Sequence, residues 1–158
     1  MNYRDILKGN IRTVEDIERF IKLSDIEKEN IGQELIHFPM SVTEYYMGLI
    51  DPNDPNDPIR KMAIPSGEPF DICSVEGVLD TSGEAQNTKF KGIQHKYNQT
   101  VLVLTTSACA MYCRHCFRRR LVGIGGETTA NINSVVEYIK SHPEVNNVLL
   151  SGGDSFML

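Results

Sequence analysis

Nowhere does the sequence hold an apolar run long enough to cross a bilayer, and its opening, MNYRDILKGN, lacks the apolar core of a secretory leader. The expected location is the cytoplasm. An excess of positive charge is missing too: 16 Lys and Arg stand against 21 Asp and Glu, a formal net charge of −5. Broad binding to nucleic acid or to an anionic membrane needs a basic face that displaces counterions, so neither is an expected partner. Cysteine is scarce, with four in 158 residues, and three of the four are crowded between Cys109 and Cys116. That crowding fits a secreted disulfide framework poorly and fits a reduced compartment with a metal site well. A hydrophobic share of 41% and a charged share of 23% are those of a globular chain and exclude disorder, in a length that supplies one core and hardly two.

The first fifty residues carry helix signals. Thr13 stands three before Asp16, Ser24 three before Glu27 and Ser41 three before Glu44, each a candidate capping box. Val14, Ile17 and Ile21 form one apolar stripe at helical spacing, and Tyr45, Tyr46, Leu49 and Ile50 form another; core packing explains both. DPNDPNDP, Asp51 to Pro58, stops any helix, because each proline lacks a donor and pushes its predecessor toward extended geometry. From Ile59 to Gln94, prolines and glycines break the periodicity into short pieces, and the expectation is irregular structure. TVLVLTT, Thr100 to Thr106, is a dense β-branched and aliphatic run that reads as a buried strand. A helix is expected over 131–141, stopped by Pro143, and NNVLLSGGD then reads as a second strand running into glycines. Strand, loop, helix, strand makes a parallel pair. Ligands of parallel α/β folds lie beyond the strands' C-terminal ends, so the cysteine loop and Gly152-Gly153-Asp154 are expected on one face.

The loop after the first strand reads TTSACAMYCRHCFRRRLVG, with three residues and then two between its cysteines. A structural zinc site takes four ligands in closed tetrahedral geometry, usually as two pairs. His115 is a possible fourth, but it adjoins Cys116, and one short loop has trouble turning both side chains onto one ion. Cys73 lies far upstream and reads as a small buried hydrophobe or an idle thiol. Three thiolates instead suit three irons of a [4Fe-4S] cube, whose fourth iron stays open to something that is not protein.

The CxxxCxxC pattern of Cys109, Cys113 and Cys116 resembles the signature of radical S-adenosylmethionine (SAM) enzymes. Its surroundings resemble the lysine 2,3-aminomutase family: YYMGLIDPNDPNDPIRKMAIPS from Tyr45, HKY from His95, the cysteine loop itself, and LLSGGD from Leu149. The resemblance implies an isomerase in which SAM on the open iron yields a 5'-deoxyadenosyl radical. Pyridoxal 5'-phosphate (PLP) then assists transfer of an amino group from C2 to C3 of a small-molecule α-amino acid. It further implies an electron donor such as flavodoxin or ferredoxin and a homo-oligomer at full length. The implied fold is α/β: a helical N-terminal region (1–58), an irregular connection (59–99), then the first βα units of a radical SAM partial (β/α)6 barrel (100–158).

Roles carry over by position. The three cysteines become cluster ligands. Ser151, Gly152, Gly153 and Asp154 match the strand end that receives the methionine part of SAM, where absent side chains let backbone groups approach. Arg118 matches the position that pairs with the substrate carboxylate, a task for a planar fork. Lys96 stands where relatives place a basic residue, usually Arg, on the PLP phosphate, or else is a plain surface lysine, and His115 either adjoins the adenine or supports the loop. Arg119 and Arg120 read as a solvated cationic run. GIGGE lacks the Lys-Ser/Thr ending of a phosphate loop and reads as a turn before the helix. A (β/α) barrel needs about 250 residues, so the expectation is an N-terminal piece that lacks the PLP lysine and is inactive alone. Lysine is the expected substrate, glutamate the second and a protein-bound lysine the third. From another class comes a non-catalytic zinc module built on the three cysteines and His115, with the arginines contacting phosphates.

Overall fold

In a computed structural model of the chain, the described residues are 3–69, 71, 78, 80–123 and 130–158. Cys73 and the IGGE stretch at 124–127 lie outside them. The chain divides into two compact units, one of residues 1–76 with 110–119, the other of residues 77–109 with 120–158.

The first unit is helical. Its helices are α1 (Tyr3–Lys8), α2 (Val14–Glu18), α3 (Asp25–His37), α4 (Glu44–Met47) and α5 (Pro58–Ala63). Two begin at the expected boxes. The Thr13 hydroxyl accepts from the Asp16 N–H while the Asp16 carboxylate accepts from the Thr13 N–H, and Ser24 with Glu27 does the same for α3. Glu27 also pairs with Arg60 at 3.3 Å, so one carboxylate closes a cap and ties α3 to α5.

The third expected box fails. Thr43, and not Ser41, caps α4, because Val42 is pinned in an extended bridge to Ile11 and the chain turns helical only afterwards. The stripe shifts with it: Met47 and Ile50 are buried, while Tyr45 and Leu49 face water. Asp57 caps α5, with Pro58 in the first turn where a missing N–H costs nothing. DPNDPNDP is therefore both a turn and the start of a helix that weak periodicity concealed. The core of this unit gathers Ile11, Ile17, Ile21, Ile31, Val42 and Ile64, each at most 1% exposed, with Met47 and Ile50. Burying each large aliphatic side chain is worth about 1.5–3 kcal/mol, which offsets the weak intrinsic stability of helices this short.

The second unit is α/β. A short helix, α6 (Glu84–Asn87), leads into β1 (Thr88–Phe90), β2 (Ile93–Tyr97) and β3 (Thr100–Thr106); α7 (Ile132–Lys140) and β4 (Asn147–Gly152) follow. The four strands form one mixed sheet in the order β1-β2-β3-β4. β1 and β2 pair antiparallel, as do β2 and β3, whereas β3 and β4 are parallel in the register Val101↔Val148 and Leu104↔Ser151. The β1–β2 hairpin replaces the irregular structure expected there. β3 has the bounds its β-branched run indicated, and Val101 and Val103 are buried with Ile93 and Val135 of α7. Asn131 caps α7 by accepting from the N–H groups of Asn133 and Ser134. β4 is apolar yet exposed among the described residues, with Leu149 51% and Leu150 60% exposed at the sheet's margin. Among the described residues no helix is long and apolar enough to cross a membrane.

Candidate functional site

The ends of the two parallel strands meet as their order implied. Beyond β3 the Thr106 hydroxyl accepts from the Ala108 N–H at 3.1 Å, which bends the chain out of the sheet toward Cys109. The end of β4 closes on this bend: Gly153 N–H donates to the Thr106 carbonyl at 2.7 Å and Asp154 N–H to the Ala108 carbonyl at 2.8 Å. Thr105 Oγ1 donates to the Ser151 carbonyl at 2.9 Å, and the Asp154 carboxylate caps a turn of 3-10 helix, Ser155–Met157, through the Phe156 N–H.

Glycine is required at both central positions. Gly152 has φ +132°, and a Cβ there would overlap the Thr106 carbonyl oxygen. At Gly153 a Cβ would overlap the Ala108 carbonyl oxygen and lie 3.0 Å from Cys109 Sγ. The glycine pair thus lets one strand end cradle the first cysteine of the other.

The remaining cysteines belong to the helical unit, where segment 110–119 is held by main-chain bonds. Tyr112 N–H donates to the Ser41 carbonyl and Arg114 N–H to the Met62 carbonyl, both at 2.9 Å, while Met111 packs on the core. Cys116 N–H donates to the Cys113 carbonyl at 3.1 Å, so these two cysteines stand on one tight turn. Cys109, Cys113 and Cys116 are thiols, each partly exposed. Burial pushes the Cys113 thiol above its ordinary pKa, and the neighbouring Cys116 adds to the rise. Among the described residues no group of three or more His, Cys, Asp or Glu side chains is gathered as a ligand set. The donors nevertheless fit an iron–sulfur cluster in number and softness.

The other expected site residues are placed unevenly. His115 is exposed on the Cys113–Cys116 turn. Arg118 is 5% exposed, its guanidinium 4.7 Å above the Phe117 ring. Lys96 lies in β2 beside the first residues of β3. There its ammonium donates to the Ser82 carbonyl at 3.3 Å.

The arginine run is a correction. Arg119 and Arg120 are not a solvated patch: Arg119 meets Glu34 at 3.2 Å, and Arg120 pairs with Asp80 and Glu84. Their side chains are 16% and 19% exposed, since each long apolar stem is buried behind a carboxylate that neutralises its head. Neither head is thereby offered to phosphates, which removes one support of the zinc module. Glu34 was missed in the sequence because an isolated Glu on a helix reads as surface; its spacing from the arginines, 80 residues or more, gives no local signal.

Set beside known proteins, the chain is a homologue of the amino acid 2,3-aminomutases, a class of isomerases. L-lysine 2,3-aminomutase of Clostridium subterminale is 38% identical over 159 residues, 99% of this chain and 38% of that protein. The Bacillus subtilis L-lysine 2,3-aminomutase is 33% identical over 96% of this chain and 32% of its own length. Glutamate 2,3-aminomutase of Clostridioides difficile is 34% identical over 99% of this chain and 37% of its own length. The chain therefore spans less than two fifths of these relatives. No family model matches it.

Proposed function

We propose that these residues form the cluster-binding and SAM-binding part of a cytoplasmic radical SAM, PLP-dependent 2,3-aminomutase, acting on lysine first and glutamate second. The observation that carries the reading is the joint between the strand ends: Gly153 and Asp154 bond to Thr106 and Ala108 beside Cys109. Lysine ranks first because lysine 2,3-aminomutases reach 38% identity against 34% for the glutamate enzyme.

Cys109, Cys113 and Cys116 would hold a [4Fe-4S] cluster, with the backbone of Gly152 and Gly153 and the Asp154 carboxylate receiving the amino acid end of SAM. When bound, these groups supply a carbon radical that abstracts hydrogen, and PLP supplies the π-system that carries the amino group. The protein's own residues bind and orient. Arg118 would fork onto the substrate carboxylate, His115 would flank the adenine or brace the loop, and Lys96, once brought to the cofactor, would contact the PLP phosphate. The first βα units of a partial (β/α)6 barrel are the fold this reading assigns to β3, α7 and β4. A flavodoxin or ferredoxin would deliver the electron, and the full-length enzyme would be a homo-oligomer. Spanning under two fifths of the three relatives described above, the 158-residue chain alone is expected to leave lysine and glutamate unchanged.

Anaerobic reconstitution with iron and sulfide tests the reading. The expected product is brown, binds about four irons per chain, and shows an electron paramagnetic resonance spectrum that shifts when SAM is added. A colourless chain binding one zinc in place of iron would refute it.

A further inference from the structure

Glu34 lies on α3, yet its carboxylate is engaged with the cysteine segment. It is 5% exposed. Arg114 Nη1 donates to its Oε2 at 3.3 Å, Arg114 Nη2 stands 3.3 Å from Oε1, and Arg119 Nη2 donates to Oε1 at 3.2 Å. A carboxylate taken out of water is tolerable only when paired and hydrogen-bonded, and here both cations come from one short stretch. Arg114 follows Cys113 directly and Arg119 lies three residues past Cys116, so the carboxylate grips the cysteine turn on both sides. The grip is reinforced where Arg114 Nη1 also donates to the Ile64 carbonyl at 3.1 Å and Arg119 stacks 4.9 Å above Phe38, the residue that ends α3. Two planar guanidinium groups fixed in this way leave the main chain between them little freedom.

We propose that Glu34 is the positioning residue for Cys113 and Cys116, setting the turn that carries both thiols before iron arrives. It rests on the reading of the loop as an iron–sulfur site, but the grip itself is made by protein side chains alone. The cluster then meets a preorganised pair of thiolates and does not have to order the loop at the moment of binding.

The test compares the 158-residue chain with its Glu34→Ala and Glu34→Asp variants. In the metal-free protein, alkylation by iodoacetamide is read at each cysteine by peptide mass spectrometry. Loss of the buried partner should speed labelling of Cys113 and Cys116 about tenfold through local opening, and that of Cys109 less than about twofold. Glu34→Asp should recover part of the protection. After reconstitution, Glu34→Ala should hold less iron than wild type and give a broadened electron paramagnetic resonance signal, with Glu34→Asp between the two. Unchanged labelling of Cys113 and Cys116 overturns the proposal, whatever the iron content. If wild type takes up no iron while Glu34→Ala still loosens the turn, the aminomutase reading fails and the grip stands. Should Glu34→Ala unfold, seen by circular dichroism and by uniform acceleration of labelling at all three cysteines, Glu34→Gln carries the same comparison. Uniform acceleration there as well overturns the selective role.

Discussion

A methyl group at Gly153 has no place to go. Built in ideal geometry, it overlaps the Ala108 carbonyl oxygen, lies 2.8 Å from that carbonyl's carbon and stands 3.0 Å from Cys109 Sγ. The first two obstacles are backbone, which cannot rotate aside as a side chain does. Gly153→Ala must therefore push the end of β4 off the bend after β3, and the Asp154 N–H bond to Ala108 at 2.8 Å goes with it. Overpacking costs about 1–3 kcal/mol and the lost hydrogen bond about 0.5–1.5 kcal/mol. Together they remove about 1.5–4.5 kcal/mol from a domain stability on the order of 5–15 kcal/mol. Urea unfolding followed by circular dichroism measures the loss, and iodoacetamide labelling of Cys109 reports whether the damage is local to the joint. A Gly153→Ala chain within about 0.5 kcal/mol of wild type, with Cys109 labelled at the wild-type rate, would refute the close approach and the cradle argued from it.

Three further outcomes are expected. Gly32 sits inside α3 with nothing within 4 Å of a would-be Cβ, so Gly32→Ala should stabilise by about 0.5–1 kcal/mol in the same urea assay. Ile17 is fully buried in the helical core, and Ile17→Ala should cost about 2–5 kcal/mol, read as a lowered urea midpoint. Asp16 and Glu27 are held below the ordinary carboxylate range, chiefly by accepting from the backbone N–H groups of Arg12 and Ser24. Because the folded value is the lower one, their stabilisation is complete above the ordinary carboxylate pKa and is lost as pH falls through the depressed values. Melting temperatures recorded from neutral into acid pH should fall less steeply for Glu27→Gln than for wild type.

Local chemistry was legible wherever a few neighbouring residues decide the outcome. The boxes at Thr13 and Ser24, β3 with its buried valines, and Asn131 ahead of α7 all depend on contacts within one turn or one strand. The parallel pairing of β3 with β4 followed from their order, and it placed Gly152-Gly153-Asp154 beside Cys109. What escaped was set by distant partners. Ser41 lost its capping role because Val42 pairs with Ile11, thirty-one residues earlier, and the arginine run lost its solvent because Glu34, Asp80 and Glu84 await it. The β1–β2 hairpin escaped because its strands are short and only partly buried, which leaves little alternation to read.

The exposed side chains of β4 bear on how these 158 residues behave as material. Among the described residues, Val148, Leu149 and Leu150 form an exposed apolar run free of charge and proline at the margin of the sheet. A single lysine introduced at Leu150 is therefore expected to lower association of the chain in concentrated solution, read by light scattering.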